Sequence, residues 1–276
     1  MFWFKSVIPK DFRTTEAAFI LFPLIFFFLL FPIQPFQTVS PPNEYLCPHV
    51  SSPVTVDGKL DEKAWDSAAW SPLFVDIRGG DAAKPRFATR MKMIWNDQFL
   101  FVGARLQEPD LWGTIRKRDS VIYRDNDFEV FIDPDGDSKK YVELEINALG
   151  TVWDLLLMRT YKEGGPAITS WDINGLQSAV HLEGTINNSA DRDSGWTVEI
   201  AIPWATFDTL GTMSVPPRPG DQWRMNFSRV EWKLETVAGE YRKPSQHEDN
   251  WVWSPQGVVN MHLPDRWGTV VFVSPR

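Results

Sequence analysis

The chain has 276 residues, of which 43% are hydrophobic and 23% are charged, as expected for one or two globular domains with a packed core. Its formal charge is −8 and its basic residues form no cluster, which argues against nucleic acid as a partner because phosphate binding needs a basic surface. The single cysteine, Cys47, excludes an internal disulfide, so the fold must be stabilised by its core.

Residues 1–40 have the composition of a targeting segment. Lys5, Lys10 and Arg13 precede an uncharged apolar stretch over residues 17–33, a pattern typical of a secretory signal peptide or a signal anchor. The stretch is near the lower limit for a membrane span, which takes about 20 residues. Cleaved secretion and retention as an N-terminal membrane anchor both stay open, with a buried core helix as the third alternative. The first two predict an extracytoplasmic location.

Four prolines, Pro41, Pro42, Pro48 and Pro53, predict a stiff linker over residues 41–53. From residue 54 to residue 276 the chain reads as short alternating runs separated by turn residues, which predicts one domain of β-strands. The predicted strands cover residues 90–95, 99–106, 127–133, 141–147, 151–159, 179–186, 196–202, 222–231 and 269–273.

Helical signals are weak in this region. Residues 61–70 are compatible with one short helix that has Asp61 as its N-cap. Strands and helices do not alternate along the chain, so a parallel sheet is not predicted. The predicted fold class is therefore all-β, an antiparallel β-sandwich, preceded by the hydrophobic N-terminal segment.

The period of two along a strand assigns side chains to the two faces of the hairpin over residues 127–147. The apolar members point inward: Phe128, Val130, Ile132, Val142, Leu144 and Ile146. The opposite face carries Asp127, Glu129, Phe131, Asp133, Tyr141, Glu143, Glu145 and Asn147. If the hairpin is symmetric about Asp137, Glu129 lies opposite Glu145 and Asp127 lies opposite Asn147. Such an acidic face suits a polyhydroxylated ligand, and a solvated outer face is the alternative.

Several sequence segments along residues 54–274 occur in the same order as in the members of a known family. They are residues 56–62 with Trp65, 89–97 before 99–102, 127–133, 196–204 and 267–268. Together they resemble the family 9 carbohydrate-binding modules and the related DOMON-like domains. Residues 253–257 with Met261 and His262 are similar to divergent stand-alone members. The resemblance implies an antiparallel β-sandwich, sugar binding and, in some members, structural calcium.

The resemblance also implies a sugar site. In well-known members two tryptophans clamp a terminal sugar ring, helped by acidic, basic and amide side chains. The first clamp position falls on Tyr123 and the acidic partner on Glu129. The position of a sugar-binding arginine falls near Glu145, and the second clamp falls near Met261. Two of these four positions depart from the family pattern, so the identity of the ligand does not transfer.

Two further residues complete the candidate sugar site. Trp253 has polar, turn-rich neighbours, as do Trp171 and Trp251, and a ring in such surroundings can stack on the C–H face of a sugar. A core position is the alternative for each tryptophan. Asn147 shares the acidic face and could hydrogen-bond hydroxyls. The hypothesis is non-catalytic binding of an oligo- or polysaccharide, which would support polysaccharide degradation by a separate hydrolase.

A cation site is also indicated. Asp133, Asp135 and Asp137 alternate around Gly136, and calcium prefers such converging carboxylate oxygens on a loop that glycine allows to bend. A polar hairpin turn without a cation is the alternative.

Two other functions stay open. Glu129 and Glu145 could form a catalytic pair, since retaining glycosidases hold two carboxyls about 5–5.5 Å apart, near the distance between paired strands. A DOMON-like haem or redox module could use His262 with Met225 or another methionine. The four histidines are scattered, so a zinc site is not indicated.

Overall fold

The computed structural model describes residues 41–244 and 248–274. Within these residues the chain forms fifteen β-strands and five short 3-10 helices. The strands are β1 (Glu44–Pro48), β2 (Val75–Asp76), β3 (Thr89–Trp95), β4 (Phe99–Gln107), β5 (Asp127–Asp133), β6 (Lys139–Asn147), β7 (Val152–Arg159), β8 (Ala167–Ile168), β9 (Gln177–Glu183), β10 (Gly195–Pro203), β11 (Gln222–Glu231), β12 (Glu235–Val237), β13 (Glu240–Arg242), β14 (Asp249–Val252) and β15 (Gly268–Val273). The 3-10 helices are Lys63–Ser67, Ile122–Arg124, Tyr161–Glu163, Trp204–Phe207 and Pro264–Arg266. The predicted targeting segment, residues 1–40, lies outside the described residues.

The strands form two main sheets. The first has the order β1-β15-β11-β5-β6-β7-β8, with β14 paired to β11 and β2 paired to β14. The second has the order β3-β4-β10-β9, and β12 and β13 form a small hairpin of their own. Every pair is antiparallel except β1 with β15. The predicted all-β, antiparallel sandwich is confirmed.

The main core lies between the two sheets. Phe128 and Ile132 of the first sheet join Met93, Val102 and Ile200 of the second in one buried cluster. Each such side chain contributes about 1.5–3 kcal/mol when it is fully buried. Because alternate residues of a strand share a face, these inward side chains leave their neighbours pointing to the outer faces of the sheets.

The hairpin β5–β6 sets the outer face of the first sheet. Glu129 pairs with Glu145 and Asp127 pairs with Asn147, so the predicted register is confirmed. The turn bends at Gly136, whose φ of 71° lies in the left-handed region.

That outer face is not solvated, which corrects the alternative that the sequence left open. Phe131 and Tyr141 lie under Trp267, with ring centroids 5.6 and 5.3 Å away, and these residues form a second apolar cluster with Met261. The segment from Met261 to Trp267 therefore covers part of the sheet. The acidic residues beside it are buried instead of facing water.

The predicted linker contains a strand. Residues 44–48 form β1, which pairs in parallel with β15, and Tyr45 and Cys47 of β1 are buried in the main core. The Tyr45 hydroxyl donates to the carbonyl of Ala69 over 2.7 Å and accepts from the amide of Met93 over 2.9 Å. The prediction missed β1 because Pro48 resembles a linker residue, but proline is tolerated at the end of an edge strand.

The predicted helix over residues 61–70 is a single 3-10 turn, Lys63–Ser67, which follows Glu62 and not Asp61. Glu199 on β10 holds this region by accepting hydrogen bonds from the Trp65 indole over 2.9 Å and from the amide of Gly58 over 3.1 Å. These long-range bonds fix a loop where local pattern indicates a helix. Among the described residues, no helix has the length and hydropathy that a membrane span requires.

Candidate functional site

A cleft of about 430 Å³ opens on the outer face of the first sheet. Its floor comes from β5, β6 and β7, and its walls come from loops after β7 and after β14 and from the Ile122–Arg124 turn. The lining residues are Ile77, Tyr123, Glu129, Phe131, Glu143, Glu145, Trp153, Tyr161, Val230, Glu248, Asn250, Val259, Asn260, Met261 and His262. Its volume is typical of a pocket for a small ligand.

The floor consists of carboxyl groups that strand alternation brings together. Glu129 of β5 lies opposite Glu145 of β6, and Glu143 lies two residues before Glu145 on the same face. The fully buried Asp127 lies beside them, and single carboxylate oxygens of Asp127, Glu129 and Glu145 all fall within 4.8 Å of one another. The Glu145 carboxylate also accepts the backbone N–H of Tyr123 over 2.9 Å, which ties the floor to the wall.

The carboxyls of the floor are hard to ionise. Burial raises the pKa of Glu129 to about 7. Burial, followed by the negative charge of Glu129, raises the pKa of Asp127, Glu143 and Glu145 well above the ordinary range. Among the described residues no Lys or Arg forms an ion pair with any of the four. Protons therefore stay on this floor at pH values where exposed glutamates are ionised.

Aromatic rings form the upper part of the cleft. Tyr123 and Tyr161 are exposed, at 41% and 54%, while Trp153 of β7 lies opposite Glu145 in the strand pairing. The His262 ring packs edge-on to Tyr161 with centroids 4.5 Å apart. Burial lowers the pKa of His262 to about 4, so this ring is neutral at physiological pH. The cleft thus combines flat apolar surfaces with hydrogen-bonding groups.

Four of the residues predicted for the sugar site line this cleft. They are Tyr123, Glu129, Glu145 and Met261. Met261 lies at its edge and is mostly buried, and its carbonyl accepts the Trp267 indole N–H over 2.7 Å. Tyr123 keeps an exposed ring, which suits the stacking role predicted for it.

Asn147 does not line the cleft, which corrects its placement there. Its side-chain amide donates to the carbonyl of Ile115 over 2.9 Å and to the carboxylate of Asp125 over 3.0 Å. Its side-chain oxygen accepts the amides of Leu149 and Thr151. Asn147 is fully buried and organises the turn between β6 and β7, since its small polar side chain satisfies backbone groups there.

Trp253 is a core residue, so the sugar-stacking role predicted for it is corrected as well. Its ring is 1% exposed and packs near Phe227 and Tyr45, with centroids 5.8 and 6.5 Å away. Trp251 is also buried, and Trp171 packs against the same main core. The polar neighbours of Trp253 in the sequence suggested exposure, but alternation along β14 and beyond turns its ring inward.

Sequence reasoning did not assign Glu143, Trp153, Tyr161 or His262 to the sugar site, although all of them line the cleft. Alternation already placed Glu143 on the same face as Glu145, and extending the face to the next strand would have found Trp153. Tyr161 begins a single 3-10 turn after β7, which is too short to give a periodic signal. His262 reaches the cleft by folding back from a distant part of the chain, and its Nδ1 lies 3.0 Å from the Tyr141 hydroxyl.

The turn after β5 brings together the three carboxylates predicted to hold calcium. Single oxygens of Asp133, Asp135 and Asp137 fall within 4.8 Å of one another, which suits a hard divalent cation. Asp133 also accepts the amides of Gly136 and Ser138 over 3.1 and 2.9 Å, and Asp137 pairs with the Lys139 ammonium over 3.4 Å. These internal bonds would also hold the turn without a cation.

Calcium addition tests this turn directly. Extracellular modules bind calcium with dissociation constants of about 0.1–1 mM, so about 10 mM calcium should stabilise the fold by roughly 1–3 kcal/mol. The measurement is the thermal midpoint with calcium, with magnesium and with neither. Asp135→Asn, at an exposed member of the turn, should remove the increase. An unchanged midpoint in calcium would leave Asp133, Asp135 and Asp137 as a turn alone.

Comparison with known protein families finds a match to one family model. Residues 56–273 match the family model of the carbohydrate family 9 binding domain-like proteins. No significant match is found among curated proteins.

Solved structures share the fold at low sequence identity. A family 9 carbohydrate-binding module from Caldicellulosiruptor kristjanssonii, in complex with cellotriose, has 17% identity and a TM-score of 0.57, covering 85% of this chain and 95% of that chain. A module of the same description from the same organism, in complex with glucose, has 17% identity and a TM-score of 0.56, covering 85% and 97%. A candidate carbohydrate-binding protein from Bacteroides uniformis has 18% identity and a TM-score of 0.60, covering 83% and 99%.

The family match covers residues 56–273, which is most of the chain, and it agrees with the sandwich fold described above. The chain therefore belongs to the carbohydrate family 9 binding domain-like proteins.

Proposed function

We propose that the cleft on the outer face of the first sheet binds a saccharide without covalent chemistry. The observation that carries this proposal is the pair of exposed rings, Tyr123 and Tyr161, above a floor of buried carboxyls. Aromatic faces stack on the apolar C–H faces of sugar rings, and carboxyl groups form hydrogen bonds with sugar hydroxyls. Family membership supports the ligand class, as do the cellotriose and glucose complexes of the similar modules.

The biological role proposed for this binding is indirect. A domain that holds a polysaccharide would raise the local concentration of substrate for a separate hydrolase. This role places the protein outside the cytoplasm, as the composition of residues 1–40 also suggests, either secreted or held at a membrane through that segment.

A hydrolytic function is the second candidate, because Glu129 has a pKa of about 7 and lies opposite Glu145. A general acid needs such a raised pKa. The two carboxyls of a glycosidase, however, flank the scissile bond, whereas Glu129 and Glu145 lie side by side on one floor. We therefore expect binding without turnover. Release of reducing ends from a bound oligosaccharide, abolished by Glu129→Gln while binding persists, would establish the enzyme instead.

Truncating either exposed ring should weaken saccharide binding. Tyr123→Ala and Tyr161→Ala each remove apolar contact area and a stacking surface, which should cost about 1–3 kcal/mol, or roughly 5- to 150-fold in affinity. The ligand is first sought among cellotriose, glucose and an array of plant, algal and bacterial glycans. Affinities are then measured by titration calorimetry.

Tyr241→Ala is the matched control for these variants. Tyr241 lies on β13, outside the cleft, and its hydroxyl donates to the carbonyl of Asn188 over 3.1 Å. Its replacement should leave the affinity unchanged. Folded Tyr123→Ala and Tyr161→Ala variants that bind as tightly as the parent would rule out the cleft as the sugar site. Absence of binding to every glycan tested would rule out saccharide binding as the function.

A further inference from the structure

We infer that the saccharide bound in this cleft is an amino sugar, whose protonated amine lies on the floor formed by Glu129, Glu143 and Glu145. This inference rests on the proposed function and names the class of sugar that the same cleft selects. It follows from the charges of the lining residues, from an unsatisfied buried carboxyl and from the arrangement of aromatic rings.

The first step is the charge of the lining. Glu248 joins the three floor glutamates around the cleft, and among its described lining residues none is Lys or Arg. His262 is neutral at physiological pH because burial lowers its pKa. Buried carboxylates elsewhere in the described chain have partners of two kinds. Glu231 lies 2.7 Å from the Arg229 guanidinium, whereas Glu199 accepts hydrogen bonds from the Trp65 indole and the Gly58 amide. The cleft floor brings together three buried glutamates, and none of them forms an ion pair with a Lys or Arg in the part of the chain that the structure describes. Buried charges normally have a partner.

The second step is an unsatisfied oxygen. Glu143 is 6% exposed and lines the cleft, and its Oε2 has no hydrogen-bond partner among residues 41–244 and 248–274. Asp127 Oδ2, below the floor, has none in the same residues. An ammonium group donates three hydrogen bonds and accepts none, so it matches a floor of acceptors better than a neutral hydroxyl does.

The third step concerns the rings above the floor. Tyr123, Trp153 and Tyr161 line the same cleft as the three glutamates. A cation is attracted to the face of an aromatic ring as well as to a carboxylate, and both attractions strengthen when water is displaced. The free indole N–H of Trp153, which has no acceptor in the described residues, would donate to a hydroxyl of the same sugar. The cleft therefore offers separate partners for an amine and for the rest of a sugar ring.

A proton balance distinguishes a cationic ligand from a neutral one. The groups that face Glu129 are Asp127 of its own strand, Glu143 and Glu145 of β6, Ser228 of β11, and Glu248, Tyr123, Tyr161 and His262 of the walls. An ammonium ion on the floor would lower the pKa values of the buried carboxyls. At about pH 5.5 the sugar amine is already protonated in solution, so binding there should release protons from the floor. A neutral sugar would leave them in place.

The experiment compares three trisaccharides of the same linkage by titration calorimetry of the full chain at about pH 5.5, where a sugar amine is protonated before it binds. The probes are the β-1,4-linked trimer of glucosamine, its N-acetylated counterpart and cellotriose. We expect the glucosamine trimer to bind at least about tenfold more tightly than the other two, since charge-assisted hydrogen bonds are the stronger ones. Titration in two buffers of different ionisation enthalpy should show proton release for that trimer alone.

Each other outcome has a defined meaning. Binding of cellotriose or the acetylated trimer with equal or greater affinity overturns the inference and keeps the proposed function. Binding of cellotriose that requires added calcium, and fails with magnesium, also overturns it, because the cation on the floor would then be a metal. Absence of binding by all three trisaccharides and by the glycan array overturns both proposals.

The variant Glu143→Gln tests whether the floor causes the preference for the amino sugar. The substitution keeps the shape of the side chain and removes the charge, and its folding is checked by a thermal melt. The ratio of affinities for the glucosamine trimer and its acetylated counterpart should fall at least about fivefold. Glu183→Gln is the control, since Glu183 is on the second sheet and pairs with Arg105 over 2.9 Å, so the ratio should not change. An unchanged ratio in folded Glu143→Gln would overturn the role of this floor.

Discussion

Replacement of Arg229 with alanine should lower the free energy of unfolding by about 3–5 kcal/mol, the cost of leaving buried charges without their partner. Arg229 of β11 is fully buried, and its guanidinium lies 2.7 Å from the carboxylates of both Glu108 and Glu231. It also donates to the hydroxyl of Thr89 and the carbonyl of Gln107 on the second sheet. One side chain thus joins the two sheets through five hydrogen bonds.

The loss of stability in Arg229→Ala should depend on pH. Burial raises the pKa of Glu231, while the positive charge of Arg229 opposes this rise. Without Arg229 the buried carboxyl of Glu231 becomes harder to ionise, so the folded state binds more protons than the unfolded state. Stability of the variant should therefore fall as pH rises above the ordinary pKa of about 4.3 for glutamate, and part of it should return in acid.

Urea unfolding at pH 5 and pH 8 measures both effects. Arg105→Ala is the control, because Arg105 and Glu183 form an exposed pair on the second sheet, and such pairs contribute roughly 0–1 kcal/mol. A loss below about 1 kcal/mol in Arg229→Ala, similar to that of the exposed pair, would contradict the prediction.

Trp253→Ala is the second large effect, and it should destabilise the fold by about 3–5 kcal/mol, as expected for a truncated core aromatic. The ring fills space beside Phe227, and Gly268 packs so closely against it that a Cβ at that glycine would overlap the indole. Trp253 does not line the cleft, so the affinity for a saccharide should be retained at temperatures where the variant is folded.

The matched comparison for Trp253 is Tyr161→Ala. Tyr161 is 54% exposed, so its removal should cost affinity and little stability. Urea unfolding and titration calorimetry on both variants separate the two effects: Trp253→Ala should lower stability and keep affinity, whereas Tyr161→Ala should lower affinity and keep stability. If Trp253→Ala lost binding and kept its stability, the sugar-facing role predicted from the sequence would be reinstated and its core position rejected.

Local pattern was sufficient for the parts of the fold that depend on strand alternation. The hairpin β5–β6, its register and its inward and outward faces all follow from a period of two and one turn, so Glu129 and Glu145 could be placed opposite each other. The burial of that acidic face could not be predicted, because it depends on residues 261–267 folding back over the sheet from more than a hundred positions away.

Residues without periodic context were predicted least well. Tyr161 lies in the short 3-10 turn Tyr161–Glu163, so its place on the rim of the cleft follows from the tertiary structure alone. Trp253 was a candidate for sugar stacking because its sequence neighbours are polar, with a core position as the alternative, and the structure places it in the core. Asn147 shares the polar face of β6, but its side chain is already bonded to other parts of the chain. Its amide donates to the Ile115 carbonyl and the Asp125 carboxylate, and its oxygen accepts two backbone amides of the next turn.

The parallel pairing of the first and last strands has a mechanical consequence. Glu44 lies beside Thr269 and Pro48 beside Val273, so tension applied through the two ends of the domain would pull β1 and β15 in opposite directions along their common axis. The hydrogen bonds between parallel strands are evenly spaced, and such shear would load all of them at once instead of opening them one by one. The rate of forced unfolding would then be set by the rupture of the whole pair. In a domain that is held at one end while it binds a polymer, the applied force would pass through the β1–β15 pair.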